Sequence, residues 1–327
     1  MTFRPAIVIL GCLIAGRLSL AQAPAQPAWF AIAVSEHEAL LPLARYEQGR
    51  WLNTWPEPDE DSKPVPALKD IPAAWLGRSV PSDWTLWLVG GGTQHVHVIG
   101  TARSGGCVVS PKLTTEGEWR FPPEGAFDKV HSGLATTNGA AVDGIEMLVG
   151  RSRSTRSTEA DAVLRRIEPA IAALFAARER EAIAADVNGD GKPNTSLTPA
   201  RVASLTPQID WLYRPHGTPD GVLYFEASKR TDATALESVT VRGWLVLGAA
   251  ASPVTLGVDA YVAHDEEVKE PDSLANVSTR IPLGVVRAGG RAFWFLEAPT
   301  GESGGFELYD VAATSARRLL YVDAGGC

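Results

Sequence analysis

The chain has 327 residues, with 30 Lys and Arg against 38 Asp and Glu, a formal charge of −8 at neutral pH. A net acidic surface disfavours nucleic acid and anionic lipid as partners, and a chain of this length can bury a core in one or two domains. No apolar run reaches the roughly 20 residues of a membrane-spanning helix: the longest, Trp244 to Val258, is broken by Ser252 and Pro253 and has the composition of a sheet.

The first residues read as an export signal. Arg4 supplies a positive charge, Ala6 to Gly16 an apolar core, and Ala21-Gln22-Ala23 an Ala-x-Ala cleavage site before Pro24. Residues 1–23 are therefore expected to be removed, and the protein to be periplasmic or extracellular. Ile9-Leu10-Gly11-Cys12 is the alternative, a lipoprotein signal with Cys12 as the modified residue. Two of the 30 bases, Arg4 and Arg17, and none of the 38 acids fall in this segment, so its removal leaves −10. Cys107 and Cys327 remain, each preceded by Gly-Gly. In an oxidising compartment a bridge between them is expected, with two separate thiols as the alternative.

Strand-like runs follow from Trp29 to Trp55, with a turn near Glu47-Gln48-Gly49. Pro56 to Pro72 is acidic and proline-rich and reads as an exposed loop, because proline cannot donate to a ladder. Trp84 to Val89 is a clear strand ended by Gly90-Gly91-Gly92, and Gln94–Thr101 and Val130–Thr136 are further candidates. Arg151 to Arg156 reads as a linker. Leu164, Ile167, Ile171 and Leu174 then recur at helical spacing. Thr158 is the expected cap, Asp186 the expected end, and Pro169 predicts a kink or two short helices. The alternating charges Arg178, Glu179, Arg180 and Glu181 read as a solvated face.

From Ile209 onward β-branched and aromatic runs return: Val222–Ala227, Val239–Leu247, Val254–Ala263, Leu283–Arg287, Arg291–Glu297, Phe306–Val311 and Leu319–Val322. Ala288-Gly289-Gly290 marks a hairpin between two of them. The pattern predicts a mostly β protein, an antiparallel sandwich or barrel-like meander with one helical insertion over about 158–185. The expected organisation is a signal peptide (1–23), a β-rich N-terminal region (24–150), a linker with helix and calcium-type loop (151–200), and a β-rich C-terminal meander (201–327).

The strongest chemical motif lies between the helix and the second β region. Asp186, Asn188 and Asp190 place oxygen side chains at positions 1, 3 and 5 of a loop with Gly191 at position 6 and Asn194 at position 9. Oxygens at that spacing, with a glycine at the sharp turn, are the first half of an EF-hand calcium loop. The stretch resembles one calcium loop of a dockerin, or the loops of other extracellular calcium-binding repeats, and the resemblance implies calcium as a cofactor held by Asp186, Asn188, Asp190 and Asn194. Position 12 is Leu197 in place of a bidentate acid and there is no second copy, so cohesin binding is not implied and a weak site, on the order of 0.1–1 mM, is expected.

His95-Val96-His97 puts two imidazoles on one face of a strand, as a metal site needs. It resembles the start of a cupin metal motif, without the glutamate that follows there. Gly301-Glu302-Ser303-Gly304-Gly305 fits G-x-S-x-G and resembles the nucleophile loop of serine hydrolases. The elbow needs a following helix, however, and Phe306 begins a strand, so a turn accounts for it. Trp51, Trp55, Trp75, Trp84 and Trp87 are either core aromatics or a sugar-binding face. No titratable pair names a nucleophile and its base. The reading is an exported, non-catalytic binding or structural protein, calcium-stabilised, with a saccharide or protein ligand as partner. The alternative is a secreted or periplasmic metal-dependent hydrolase using His95 and His97.

Overall fold

The computed structural model describes residues 27–34, 39–56, 64–76, 80–88, 92–103, 111–117, 132–137, 139–150, 157–217, 221–231, 237–248, 253–264, 280–300 and 303–326. The fold is mostly β and antiparallel, as expected, with a closed barrel, a two-sheet sandwich and one long helix.

The barrel is built from β1 (Ala28–Val34), β2 (Ala39–Glu47), β4 (Asp83–Leu88), β5 (Gly92–Arg103), β6 (Pro111–Thr115) and β7 (Ser132–Thr136). The order β1-β7-β4-β5-β6-β2 closes through a β1–β2 ladder. The short β3 (Arg50–Leu52) extends the side of β2 that β6 leaves open. Pro42 sits inside β2, where a missing amide donor would normally be costly. It falls between the two residues paired to β6 and the three paired to β3, beside a register shift in the β1 ladder. The proline thus occupies a position where one side of the ladder is already interrupted.

The chain crosses from barrel to sandwich through β8 (Val142–Asp143) and β9 (Ile145–Val149). These neighbours join different sheets: β8 pairs with β14 and β9 with β10, with Gly144 between them. One sheet runs β13-β12-β11-β10-β9, with β10 Gln208–Pro215, β11 Val222–Arg230, β12 Glu237–Val246 and β13 Val254–His264. The other runs β17-β16-β15-β14-β8, with β14 Ile281–Ala288, β15 Arg291–Thr300, β16 Ser303–Ala312 and β17 Ser315–Gly326.

The β14–β17 sheet is covered on both faces. Val285, Trp294, Leu296 and Tyr309 join Trp211, Tyr224 and Trp244 in the core between the two sheets. Phe293, Phe295 and Leu308 join the barrel core instead. Phe295 stacks on Phe30 at 5.3 Å between centroids, and Trp51 meets Phe293 and Phe295 edge-on at 5.1 and 5.6 Å. Burial on both faces explains why Phe293-Trp294-Phe295-Leu296 is an unbroken apolar run where an antiparallel strand with one wet face would alternate.

The outer face of the β9–β13 sheet is covered by α2 (Thr158–Ala185). Leu164, Ile167, Ile171 and Phe175 are buried at intervals that line one face. The cap is Ser157, whose hydroxyl accepts from Ala160 N–H at 3.1 Å, and not Thr158. A single helix of 28 residues runs through Pro169. Pro169 and Arg165, four residues back, are both exposed, so the carbonyl that loses its amide partner faces water. The solvated-face reading of 178–181 fails at Glu179, which is 6% exposed and turned onto the sheet. Two short α-helices complete the fold, α1 (Ala73–Leu76) just after the proline-rich region and α3 (Pro199–Ala203), capped by Thr198. No helix among the described residues is long and apolar enough to cross a membrane.

Candidate metal-binding loop and neighbouring polar clusters

The loop after α2 is a miniature hairpin. Val187 and Pro193 form an antiparallel bridge, Asn188 N–H donates to the Lys192 carbonyl at 2.9 Å, and Asn194 N–H donates to the Asp186 carbonyl at 2.9 Å. Gly191 takes φ +78°, which a residue with a Cβ adopts at a cost. This turn sends the four predicted ligands to two places. Asn188 Oδ1 accepts from Lys192 N–H at 2.9 Å, and Asp190 Oδ2 pairs with Lys192 Nζ at 2.7 Å. The lysine hydrogen bond holds the Asp190 carboxyl below its ordinary pKa. Asp186 and Asn194 turn the other way, to the end of β13. Asp186 Oδ2 lies 2.9 Å from His264 Nε2, and the Asn194 amide nitrogen 3.2 Å from the same atom.

The sequence spacing does not link His264 or Glu237 to the loop. Glu237 opens β12 and pairs across the ladder with His264, placing its Oε1 3.7 Å from His264 Nδ1. Glu237 also accepts from the Ser196 amide at 3.0 Å and the Ser196 hydroxyl at 2.5 Å. Burial pushes the Glu237 carboxyl up, but the Ser196 and Thr195 hydrogen bonds pull harder, and the net shift is downward. Neither residue carries a local signal. They lie 78 and 51 residues from Asp186 in sequence and meet it only because α2 covers the sheet whose edge is β13.

A second cluster, also unread in the sequence, ties the two sandwich sheets together. Glu226, Arg242 and Asp259 are cross-strand neighbours on β11, β12 and β13. Arg280, entering β14, donates its amide to Glu226 at 2.9 Å and its guanidinium to Asp259 at 2.8 Å and to Glu307 at 3.2 Å. Arg318 adds a bond to Glu307 at 2.9 Å. Burial lowers the Arg280 pKa, but facing Tyr224 and Glu307 outweigh it and hold the guanidinium charged. Burial drives the Tyr224 hydroxyl well above its ordinary range. Glu307, 3% exposed, is ion-paired with the Arg280 and Arg318 guanidinium groups, while Glu226, also 3% exposed, accepts from the Arg280 amide and the Tyr224 hydroxyl.

His95 and His97 lie on β5, both exposed. Across the ladder, His95 Nδ1 approaches Thr85 Oγ1 at 3.4 Å and His97 Nδ1 meets Asp83 Oδ1 at 3.1 Å. Hydrogen bonds from Ser82 and then His97 hold Asp83 below the ordinary carboxylate range. Among the described residues no three His, Cys, Asp or Glu side chains converge as a metal cage. Thr300 pairs with Ser303, and Ser303 opens the strand β16, where the serine-hydrolase elbow needs a helix. Trp55 and Trp84 are buried, while Trp51, Trp75 and Trp87 pack against the barrel core. The signal segment, Cys12, Cys107 and Cys327 lie outside the described residues. No family model, no curated protein and no solved structure matches the chain.

Proposed function

We propose that the chain is an exported, non-catalytic binding or structural protein whose helix-to-sheet junction is braced by a divalent cation at the loop 186–194. The observation that supports bracing is the meeting of Asp186 and Asn194, the first and ninth residues of the loop, at His264 on the last turn-facing end of β13. A cation there links the end of α2 to the sheet that α2 covers. The oxygen side chains of the loop make calcium the first ion to test. Export rests on the order of charge, apolar core and Ala21-Gln22-Ala23 in the first residues. A Cys107–Cys327 bridge belongs to the same reading, because an exported chain folds where thiols oxidise.

Protein recovered from its native host is expected to begin at Pro24; a lipid on Cys12 or a retained Met1 overturns export with cleavage at Ala23. Thermal melts with calcium, zinc and magnesium test the brace. A cation that binds only the folded state raises the melting temperature as its concentration rises, and no shift with any of the three removes the brace.

A second reading, a metal-dependent hydrolase through His95 and His97, draws on Asp83. A carboxylate behind His97 Nδ1 orients an imidazole as metal sites require. Stoichiometric zinc that is lost in the His95→Gln/His97→Gln double variant favours it.

A further inference from the structure

We infer that Asp186, Asn194 and His264 form a site for an imidazole-binding divalent cation of the zinc class, with Glu237 as the positioning residue behind the histidine. The inference rests on the reading of the loop as a cation site and changes its ligands and its ion.

His264 Nε2 receives two side chains from the loop at once, Asp186 Oδ2 at 2.9 Å and the Asn194 carboxamide at 3.2 Å. Its other nitrogen faces Glu237, whose carboxylate is anchored by two bonds from Ser196. Glu237 Oε1, 3.7 Å from Nδ1, is beyond hydrogen-bond reach but favours a proton on that nitrogen electrostatically, which leaves Nε2 to face the loop as a ligating histidine does. A cation that replaces the proton between Nε2 and the Asp186 carboxylate takes both atoms as ligands.

Distance fits as well. Ligand bonds of about 2.0–2.1 Å in a tetrahedral shell place neighbouring ligand atoms roughly 3.3 Å apart. The spacings of 2.9 and 3.2 Å require small outward movements only. A half-turn of the Asn194 carboxamide presents its oxygen to the same point, and water fills the remaining position. The donor set decides the ion. Calcium and magnesium take oxygen ligands, whereas zinc takes imidazole nitrogen with carboxylate oxygen. Asn188 accepts from the Lys192 amide and Asp190 pairs with the Lys192 ammonium, so both ligands an EF-type loop needs have other partners here.

The site is not enclosed. The Asp186 side chain keeps 15% of its exposure and His264 37%, so an ion enters from solvent without opening the fold.

The test is a thermal melt of the full mature protein with zinc, calcium or magnesium chloride, on wild type, His264→Gln, Asp186→Asn and Asp190→Asn. The expected result is a zinc-dependent rise of several degrees that His264→Gln and Asp186→Asn abolish and Asp190→Asn retains, with no calcium response. A calcium shift lost in Asp190→Asn but kept in His264→Gln overturns the inference and leaves the brace standing. No shift with any ion overturns both. A zinc shift that survives His264→Gln and disappears in His95→Gln/His97→Gln moves the metal to β5 and also overturns it. Should His264→Gln fail to fold, zinc titration of the wild type followed by imidazole NMR decides: the His264 ring signals move at one equivalent, or the inference fails.

Discussion

Lys229 Nζ lies 2.8 Å from Glu179 Oε2, and each side chain keeps only 7% of its exposure. The pair fastens α2 to β11, and the same ammonium sits 5.4 Å from the Phe175 ring centre. Truncating one partner leaves the other charge buried without a counterion, a loss of about 3–5 kcal/mol. Glu179→Ala is therefore expected to lower the free energy of unfolding by that amount in urea titration. Replacing both residues with apolar side chains of similar volume, Glu179→Leu with Lys229→Met, is expected to restore most of it. A double variant as unstable as the single one would mean that the charges themselves are needed.

Gly243 sits at the register shift between Arg242 and Trp244 in the β12–β13 ladder. A Cβ there would stand 2.9 Å from the Leu256 carbonyl oxygen and 3.1 Å from that of Gly257, both backbone atoms that cannot swing aside. Gly243→Ala is expected to cost about 1–3 kcal/mol, the range for forcing extra volume into a packed site. Gly189→Ala is the control: its Cβ meets nothing within 4 Å, and its stability should stay within about 0.5 kcal/mol of wild type. Equal effects at the two positions would refute the steric account.

Glu237 carries a pH dependence whose sign follows from its hydrogen bonds. Its folded pKa lies below the unfolded value of 4.5, so the folded state favours the carboxylate. The stability this contributes is present above about pH 4.5 and lost as pH falls through the lower folded value. Ser196→Ala removes the hydroxyl that donates at 2.5 Å and is expected to move the Glu237 titration upward and to flatten this part of the acid limb. Side-chain carbon NMR across pH 2.5–6 reads the titration directly; a wild-type Glu237 that titrates at or above its ordinary value would sink the assignment.

How much of this was legible beforehand differs between fold and site. Period-two runs and glycine turns located the strands from Ile209 onward, and the spacing of Leu164, Ile167 and Ile171 located α2, because these patterns are local and repeat within a few residues. β8 and β9 carried too few residues to show a period, and which sheet each would join was invisible. The run Phe293 to Leu296 read as a strand but gave no sign of being buried on both faces. That depends on the barrel packing behind it.

The sequence by itself determined the alternation of turns and strands, a helical segment near 158–185, and a loop rich in oxygen side chains closed by Gly191, while that the helix runs unbroken through Pro169 was decided in the fold. Tertiary structure decided what those side chains meet. Spacing of 1, 3, 5 and 9 says which residues can converge, while the Val187–Pro193 bridge and Lys192 set what Asn188 and Asp190 meet in the folded chain. The docking of α2 on the sheet then brought Asp186 to His264, and cross-strand register put Glu237 beside it. Local spacing is set by the covalent chain, whereas a partner 78 residues away is set by which apolar faces bury each other.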